Sequence, residues 1–275
     1  DGRTVLFQHA PVSALEREYD QGSFVFWVGF MGDPLSGSHL LGQDSATWDD
    51  ARTRFVERNR FSRSVSLTPC GFKPEEHLSQ MPLVDCERLC YDEQLDFSVR
   101  QESYVKPLVL LNGYEYCTPF LHAEWVSFTL GVVRSYREKQ FLYKEFLKTA
   151  YPTLFSLPVK NCWGLPLSAR RWRRSLRRQG LRVRAVAKRL LSRVDWPIAP
   201  GINYIDFDWG LRERADLRTV VCESIQDIKN RHIVDWIDVD QIWTRHQDRR
   251  GNHADALTLL ASLEINLKVR ETQSK

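Results

Sequence analysis

NGYEYCTPFLHAEWVSFTLGVVRSYREKQFLYKEFLKTAYPTLFSLPVKNCWG, residues 112–164, is the stretch around which the rest of the chain is read. A short run to Pro119 precedes two segments of helical character. In the first, Leu121, Trp125, Phe128 and Val132 stand at i, i+4, i+7 and i+11, one apolar stripe of a 3.6-residue helix. In the second, Leu142, Phe146 and Ala150 repeat the spacing, while Arg137, Lys139, Lys144 and Lys148 supply charge. Pro152 lies just past the end, where its missing N–H stops a helix. A Pro-punctuated loop then carries Lys160 and Gly164.

Upstream, Phe24-Val25-Phe26-Trp27-Val28 is a near-continuous apolar run. That pattern predicts a central strand of a parallel sheet with both faces covered. It leads into GFMGDPLSGSHLLG, residues 29–42. Ligands of open α/β sheets sit where strands end. A Gly-rich turn there lets the backbone approach phosphates and present its N–H groups. Gly29, Gly32 and Gly37, with Asp33, are therefore the candidate nucleotide or pyrophosphate loop; a plain glycine-rich turn is the alternative.

These two blocks together resemble the synthetase domain of asparagine synthetases and their relatives. The family has a G-x-E-x-x-x-P-F-L-D element before a helix, then a basic K-x-x-L-R-E-like helix and a P-x-K-x-x-G-like loop. Here the matching residues are Gly113, Glu115, Pro119, Phe120 and Leu121, then Tyr143-Lys144-Glu145, then Pro158, Lys160 and Gly164. The resemblance covers roughly residues 23–167. The family's S-G-E-G-A-D-E-L-F-G-G loop falls, without gaps, with its first glycine on Gly29, its aspartate on Asp33 and a later glycine on Gly37. What the resemblance implies is an α/β fold: a partial parallel sheet of the adenine nucleotide alpha hydrolase type followed by a mainly α-helical lobe. It also implies ATP-dependent adenylation of a small-molecule carboxylate, with Mg²⁺, followed by amine attack to form an amide. Asp33 would serve Mg²⁺ and pyrophosphate as a hard oxygen ligand. Glu115 would stand in the active-site cleft. The family's pyrophosphate lysine falls on Gln140, and Lys139 is the candidate if the register differs by one, a turn of about 100° on a helix. Lys160 would stand at the cleft rim, and a solvated lysine is the alternative for both Lys139 and Lys160.

Departures from the family are as informative as matches. The two loop glutamates of the family fall on Phe30 and Pro34, neither of which can move a proton. His122 replaces the usual aspartate. The S-G-G-x-D-S pyrophosphate loop is not found, nor is the N-terminal cysteine glutaminase domain. The chain is thus expected to be either the later part of a longer enzyme or a degenerate relative. Between Tyr114 and Tyr116, Glu115 could gain a raised pKa and act as a base, or pair with a nearby arginine or backbone group.

Composition sets the outer bounds. With 275 residues, 43% of them hydrophobic, the chain can bury a core as one large domain or two lobes. A charged fraction of 27% and a net charge of +4 exclude a disordered chain. No apolar run approaches the ~18–20 residues that span a bilayer, and no secretory signal is visible, so a cytoplasmic location is expected. Of the six cysteines, Cys86 and Cys90 are the close pair, and free thiols in a reducing compartment are expected. Asp85, Glu87, Asp92 and Glu93 read as a solvated acidic face, between a helix ending near Asn59 and another over 92–104.

Residues 169–193 hold eleven Arg or Lys and no Asp or Glu, which more than accounts for the net charge. Trp172, Leu176, Val183, Ala187, Leu190 and Val194 are interspersed, and two short amphipathic basic helices broken at Gly180 are predicted. A solvated helical insertion is the plain reading. An anionic membrane surface or acidic partner is a second use, and nucleic acid is not expected because no recognition motif accompanies the charge. The chain could instead be a non-catalytic scaffold using these helices. After a Pro-Gly linker, Leu217, Val221 and Ile228 mark a helix. His246, Asp248, His253 and Asp255 have metal-like composition but no ligand frame. Asn252 is placed to cap a last helix with Ala256, Leu260, Leu263 and Leu267 on one face. The expected division is a nucleotide-binding sheet remnant over 1–60, a helical synthetase part over 61–168, the Arg-rich insertion over 169–195 and a helical segment over 196–275.

Overall fold

The structure is a computed structural model. It describes Glu18 and residues 25–62, 64–85, 89–110, 113–159, 162–191 and 206–273, with 184–191 as backbone. In chain order the first elements are β1 (Val25–Trp27), α1 (Gly32–Leu35), α2 (Trp48–Asn59), α3 (Tyr91–Leu95), α4 (Lys106–Val109) and β2 (Glu115–Cys117). Then come α5 (Ala123–Gly131), α6 (Arg134–Arg137), α7 (Phe141–Ala150), α8 (Pro152–Phe155), β3 (Pro158–Val159), β4 (Leu165–Pro166) and α9 (Arg171–Leu191). The last four are α10 (Phe207–Glu213), α11 (Ala215–Asn230), α12 (Val239–Gln247) and α13 (Ala254–Gln273). Helices dominate the described residues, beside one two-stranded parallel sheet, β1–β2, and one short antiparallel pair, β3–β4. Two compact units interleave along the chain: Asp1–Met31, Gln43–Leu121 and Tyr204–Lys275 in one, Gly32–Gly42 and His122–Asn203 in the other.

In the first unit, the core lies among the C-terminal helices. Val221, Ile225 and Ile228 repeat at i, i+4 and i+7 along α11 and are buried with Leu211, Ile242, Leu257 and Leu260. Asp206 caps α10 by accepting from Trp209 N (3.2 Å), and Asp238 caps α12 by accepting from Gln241 N (2.9 Å). Asn252 Oδ1 accepts from Ala254 N at 3.1 Å, as its position predicts. The buried face of α13 is Ala256, Leu257, Leu260, Ala261 and Glu264, whereas Leu263 turns to solvent. The buried arc is displaced from the expected 256/260/263/267 stripe because α13 meets α11 along its length and α10 and α12 besides.

A second cluster joins Trp48 and Ala51 of α2 to Leu95 of α3. Trp48 Nε1 donates to Ser79 O at 2.8 Å. The buried Gln94 uses its whole amide on the preceding loop: Oε1 accepts from Leu83 N and Val84 N, and Nε2 donates to Val84 O and Leu89 O. The helix expected over 92–104 is present but continues as a π-helix from Asp96 to Val105 and then as α4. Asp92 and Glu93 are not a solvated face. Asp92 accepts from Ser45 N (2.7 Å) and Ser45 Oγ (3.0 Å), and the buried Glu93 accepts from Cys90 N (3.4 Å) in a capping box. Acidic residues at a helix start are drawn to its free N–H groups, so burial there is compensated.

The strand run is shorter and barer than predicted. Val25–Trp27 pairs with Glu115–Cys117 in parallel register, Phe26 opposite Tyr116. Among the described residues β1 has one partner strand, and Trp27 is 77% exposed. Phe24, the β-prone run TVLFQ at residues 4–8 and the Pro-Gly linker lie outside the described residues.

In the second unit, α5 and α7 fall where the apolar spacing put them, yet the stripes are half open. Trp125 meets Tyr143 edge-on, at 6.4 Å between ring centroids. Phe128 and Phe146 stay exposed. The Arg-rich segment is one helix, not two: α9 runs through Gly180. A glycine in a helix interior costs only about 1 kcal/mol relative to alanine, too little to break a helix with strong formers on both sides.

Candidate phosphate-type site

The site is assembled from α1 and its turn on one side and the α6–α7 junction on the other, all in the second unit. After β1 the chain turns through Met31 in a left-handed conformation (φ 65°) and enters the single-turn helix α1. Asp33 is exposed, and its backbone carbonyl accepts from Ser38 N (3.0 Å), Ser38 Oγ (2.8 Å) and Ser36 Oγ (3.1 Å). Gly37 has φ +90°, and its Cα approaches the backbone of Arg137 so closely that a Cβ would overlap the carbonyl oxygen. Gly29 meets nothing nearer than Phe120 at 4.0 Å, and Gly32 is the first residue of α1. Of the three glycines singled out from the sequence, close approach requires glycine at Gly37.

The facing junction is strained. Lys139 (φ 55°, ψ 23°) and Gln140 (φ 59°, ψ 38°) are two successive non-glycine residues in the left-handed region. Such residues cost on the order of 1 kcal/mol or more each, and persist where the surroundings hold them. This kink sends the Lys139 side chain to solvent and turns Gln140 inward, where it is buried. Gln140 Nε2 donates to Asp33 Oδ1 at 2.9 Å and to Ser36 Oγ at 2.8 Å. The Asp33 partner lies 107 residues away in sequence. Arg134 Nη2 donates to Leu41 O at 2.7 Å, and Arg137 Nε to Leu35 O at 3.4 Å, which holds the two segments together on either side.

Charge gathers around this bond. Tyr143, half-buried, has its pKa raised by burial and by the Asp33 carboxylate. Burial lowers that of Lys144; Arg174 of α9 acts in the same direction, while Cys162 and Asp33 oppose it. Lys144 Nζ donates to Lys139 O at 2.6 Å. The Arg174 Nε is buried without a hydrogen-bond partner among the described residues. One exposed carboxylate, an amide, a phenol and two cations thus lie together, a set suited to a polyanion carrying a divalent cation.

Of the residues picked from the sequence, Asp33 and Gly37 lie in this cluster. Lys139 adjoins it through its backbone, and the inward residue is Gln140, the gap-free counterpart of the family lysine. Gln140, Tyr143, Lys144 and Arg174 were not selected as site residues. Only the Tyr143-Lys144-Glu145 match pointed toward them; Arg174 was hidden in a run of arginines. Lys160 lies outside the described residues. Glu115 belongs to the other unit, on β2 opposite Val25, and is exposed. Tyr114 and Tyr116 pack on Phe26 (5.5 and 5.6 Å between centroids), so strand alternation turns Glu115 to the opposite face, away from the aromatic shield. Phe30 and Pro34 are buried.

Two other groupings of polar residues stand apart from this cluster. Asp44, Cys90 and Asp92 bring donor atoms within 4.8 Å of one another. Burial pushes the Cys90 thiol up to about 12, and Asp92 accepts from Ser45 N and Oγ. Cys70, Cys117, Cys162 and Cys222 are free thiols. His246 is fully buried, and its Nδ1 accepts from His253 N at 3.2 Å, which places the ring proton on Nε2. Arg212 bridges His246 O (2.8 Å) and Gly251 O (3.0 Å), and no metal grouping includes His246 or His253 among the described residues.

Burial, then the Arg212 charge, push the His246 pKa down from 6.5 to about 4, against the pull of Asp208. Between those values the unfolded chain binds a proton that the folded chain refuses. Stability from this group is therefore complete above pH 6.5 and is lost as pH falls toward 4, with a slope of at most about 1.4 kcal/mol per pH unit. His246→Asn keeps an acceptor for His253 N and cannot titrate. Urea midpoints taken across this range should fall less steeply with acid in the variant; parallel curves would exclude His246 as a source of the acid sensitivity.

Comparison with protein-family models, curated proteins and solved structures gives no match.

Proposed function

We propose that the Asp33–Gln140 cluster is the pyrophosphate end of an asparagine-synthetase-like site that activates a carboxylate with ATP and joins it to an amine. The observation that carries this reading is the 2.9 Å bond from Gln140 to Asp33. Two segments assigned separately, by motif order, to the pyrophosphate region meet in space, at a strained junction. The reading takes the β1–β2 pair as the remnant of a nucleotide-binding parallel sheet, with the Gly29–Gly37 loop leaving the carboxyl end of β1, where such sheets bind ligands.

In this reading Asp33 offers a carboxylate oxygen, Oδ2, that no described residue engages, and this fits Mg²⁺ held mainly by phosphate oxygens. Asp33 would hold Mg²⁺ there, and the chemistry the ion would supply is neutralisation of phosphate charge. Gln140 fixes the other Asp33 oxygen. Lys144 and Arg174 supply positive charge where the departing anion grows, and Tyr143 donates a hydrogen bond. ATP supply and the free cysteines go with a cytoplasmic setting.

Magnesium pyrophosphate titrated calorimetrically into the full chain tests the site without a known acceptor. Wild type should bind, and Asp33→Asn and Lys144→Ala should each weaken binding at least tenfold, about 1.4 kcal/mol. Gln140→Leu should weaken it less, because Asp33 keeps its charge. The reading fails if wild type gives no heat, if the variants bind equally, or if the intact gene product releases no pyrophosphate from ATP.

A further inference from the structure

Over residues 171–183, the helix α9 presents its apolar side outward. At 100° per residue, Trp172, Leu176 and Val183 fall within about 40° of one another around the helix. They are 53%, 58% and 68% exposed. Diametrically opposite stand Arg174 and Leu181, the half-buried residues of the same stretch. The helix therefore rests on its unit through the Arg174–Leu181 side. A helix seated on a protein core normally turns its apolar stripe inward; this one does the reverse.

The stripe has a cationic border on both sides. Arg173 and Arg177 lie on one flank, and Arg171, Arg178 and Arg182 on the other, all exposed. The Arg173 guanidinium stands 5.3 Å over the Trp172 ring. No Asp or Glu interrupts residues 169–193. An exposed apolar stripe between two rows of arginine is the pattern of a helix that lies in a membrane interface, apolar side chains among the acyl chains and guanidinium groups at the phosphates. None of the described helices is long and apolar enough to cross a bilayer, so the contact is with its surface.

We infer that α9 docks this chain on an anionic lipid bilayer, with Trp172, Leu176 and Val183 inserted and the flanking arginines at the headgroups. Charge complementarity selects that occupant. A second copy of the chain would set arginine rows against arginine rows, with no acid on the helix to answer them. Nucleic acid would use the arginines but leave the apolar stripe uncovered, since only Trp172 there can stack on a base. The inference does not depend on the chemistry proposed at Asp33.

Flotation of the full chain with phosphatidylcholine vesicles, with and without about a third phosphatidylglycerol, tests it. Wild type should float with the anionic vesicles alone, and less so at high salt. The triple variant Arg171→Gln, Arg178→Gln, Arg182→Gln should bind roughly 100-fold more weakly. The triple variant Trp172→Ser, Leu176→Ser, Val183→Ser, with every charge kept, should lose at least about tenfold. All six side chains are exposed, so both variants should keep the wild-type melting temperature, which separates lost docking from lost fold. The inference is overturned if wild type does not float, or if the serine variant floats as well as wild type. It is also overturned if the chain instead binds nucleic acid regardless of the serines, or forms a dimer, seen by ultracentrifugation, that the serines abolish.

Discussion

Gly37→Ala should unfold or severely loosen the second unit, whereas Gly42→Ala, five residues on, should be nearly silent. Gly37 sits at φ +90°, where an L-residue is strained whatever the space around it. Its Cα also lies against the peptide of Arg137, and an added Cβ would stand 2.7 Å from that carbonyl carbon. A flexible side chain could swing away, but a backbone carbonyl held by its neighbours cannot. Arg137 is buried and bonded to Leu35 O, and Arg134 is bonded to Leu41 O, so α6 is pinned to the loop before and after the contact. Strain and overlap together should cost about 3 kcal/mol or more, in the range of the severe substitutions. Gly42 has open space around it and should stay within about 0.5 kcal/mol of wild type. Urea midpoints for the two variants decide the matter; if they move equally, the glycine is not there for close approach. Because the Gly37 contact also positions Asp33 against Gln140, Gly37→Ala should abolish magnesium pyrophosphate binding at concentrations where the chain remains folded.

What the sequence discloses here depends on whether the signal is local. The 3.6-residue spacing located α5, α7, α11 and α13, because one buried face is a property of neighbouring residues. Cap residues were legible for the same reason, as at Asn252. The lateral partner of a strand is not local: the run ending at Val28 looked like a strand covered on both faces, and nothing in it announced that, among the described residues, β2 alone would pair with it. The acidic residues at 92–93 looked solvated because composition cannot separate a free carboxylate from one that caps a helix. At the proposed site, Asp33 and the α6–α7 segment were singled out by motif order, but the inward residue could not be chosen between Lys139 and Gln140. That choice is made by a pair of left-handed residues that neither side chain advertises. The Arg-rich segment was legible as amphipathic; which side of it faces the protein was not.

Arg231→Leu should destabilise the C-terminal helices more than Glu264→Leu, although both remove the same ion pair. Glu264 is fully buried on α13, and Arg231, at the end of α11, donates through Nε to both of its oxygens at 2.9 and 2.7 Å. Arg231 reaches solvent and holds Glu271 at the surface as well, through Nη1 and Nη2. The two ends of the pair are therefore not equivalent. Removing the arginine leaves a buried carboxylate without its main partner. Lys268 stands 4.0 Å from it and is already engaged with Asp227, so it compensates only in part. A buried Glu264 carboxylate without its main partner should cost clearly more than the loss of one hydrogen bond. Replacing Glu264 by leucine removes the buried charge itself, fills the space with apolar atoms and leaves the guanidinium to water and Glu271, so the loss should be near that of one hydrogen bond, about 1 kcal/mol. The double variant should recover most of what Arg231→Leu loses, a coupling that a double-mutant cycle reads directly. If Arg231→Leu proves no worse than Glu264→Leu, or the double variant equals the sum of the singles, then the carboxylate is hydrated in the folded chain and the α11–α13 interface is looser than its burial implies.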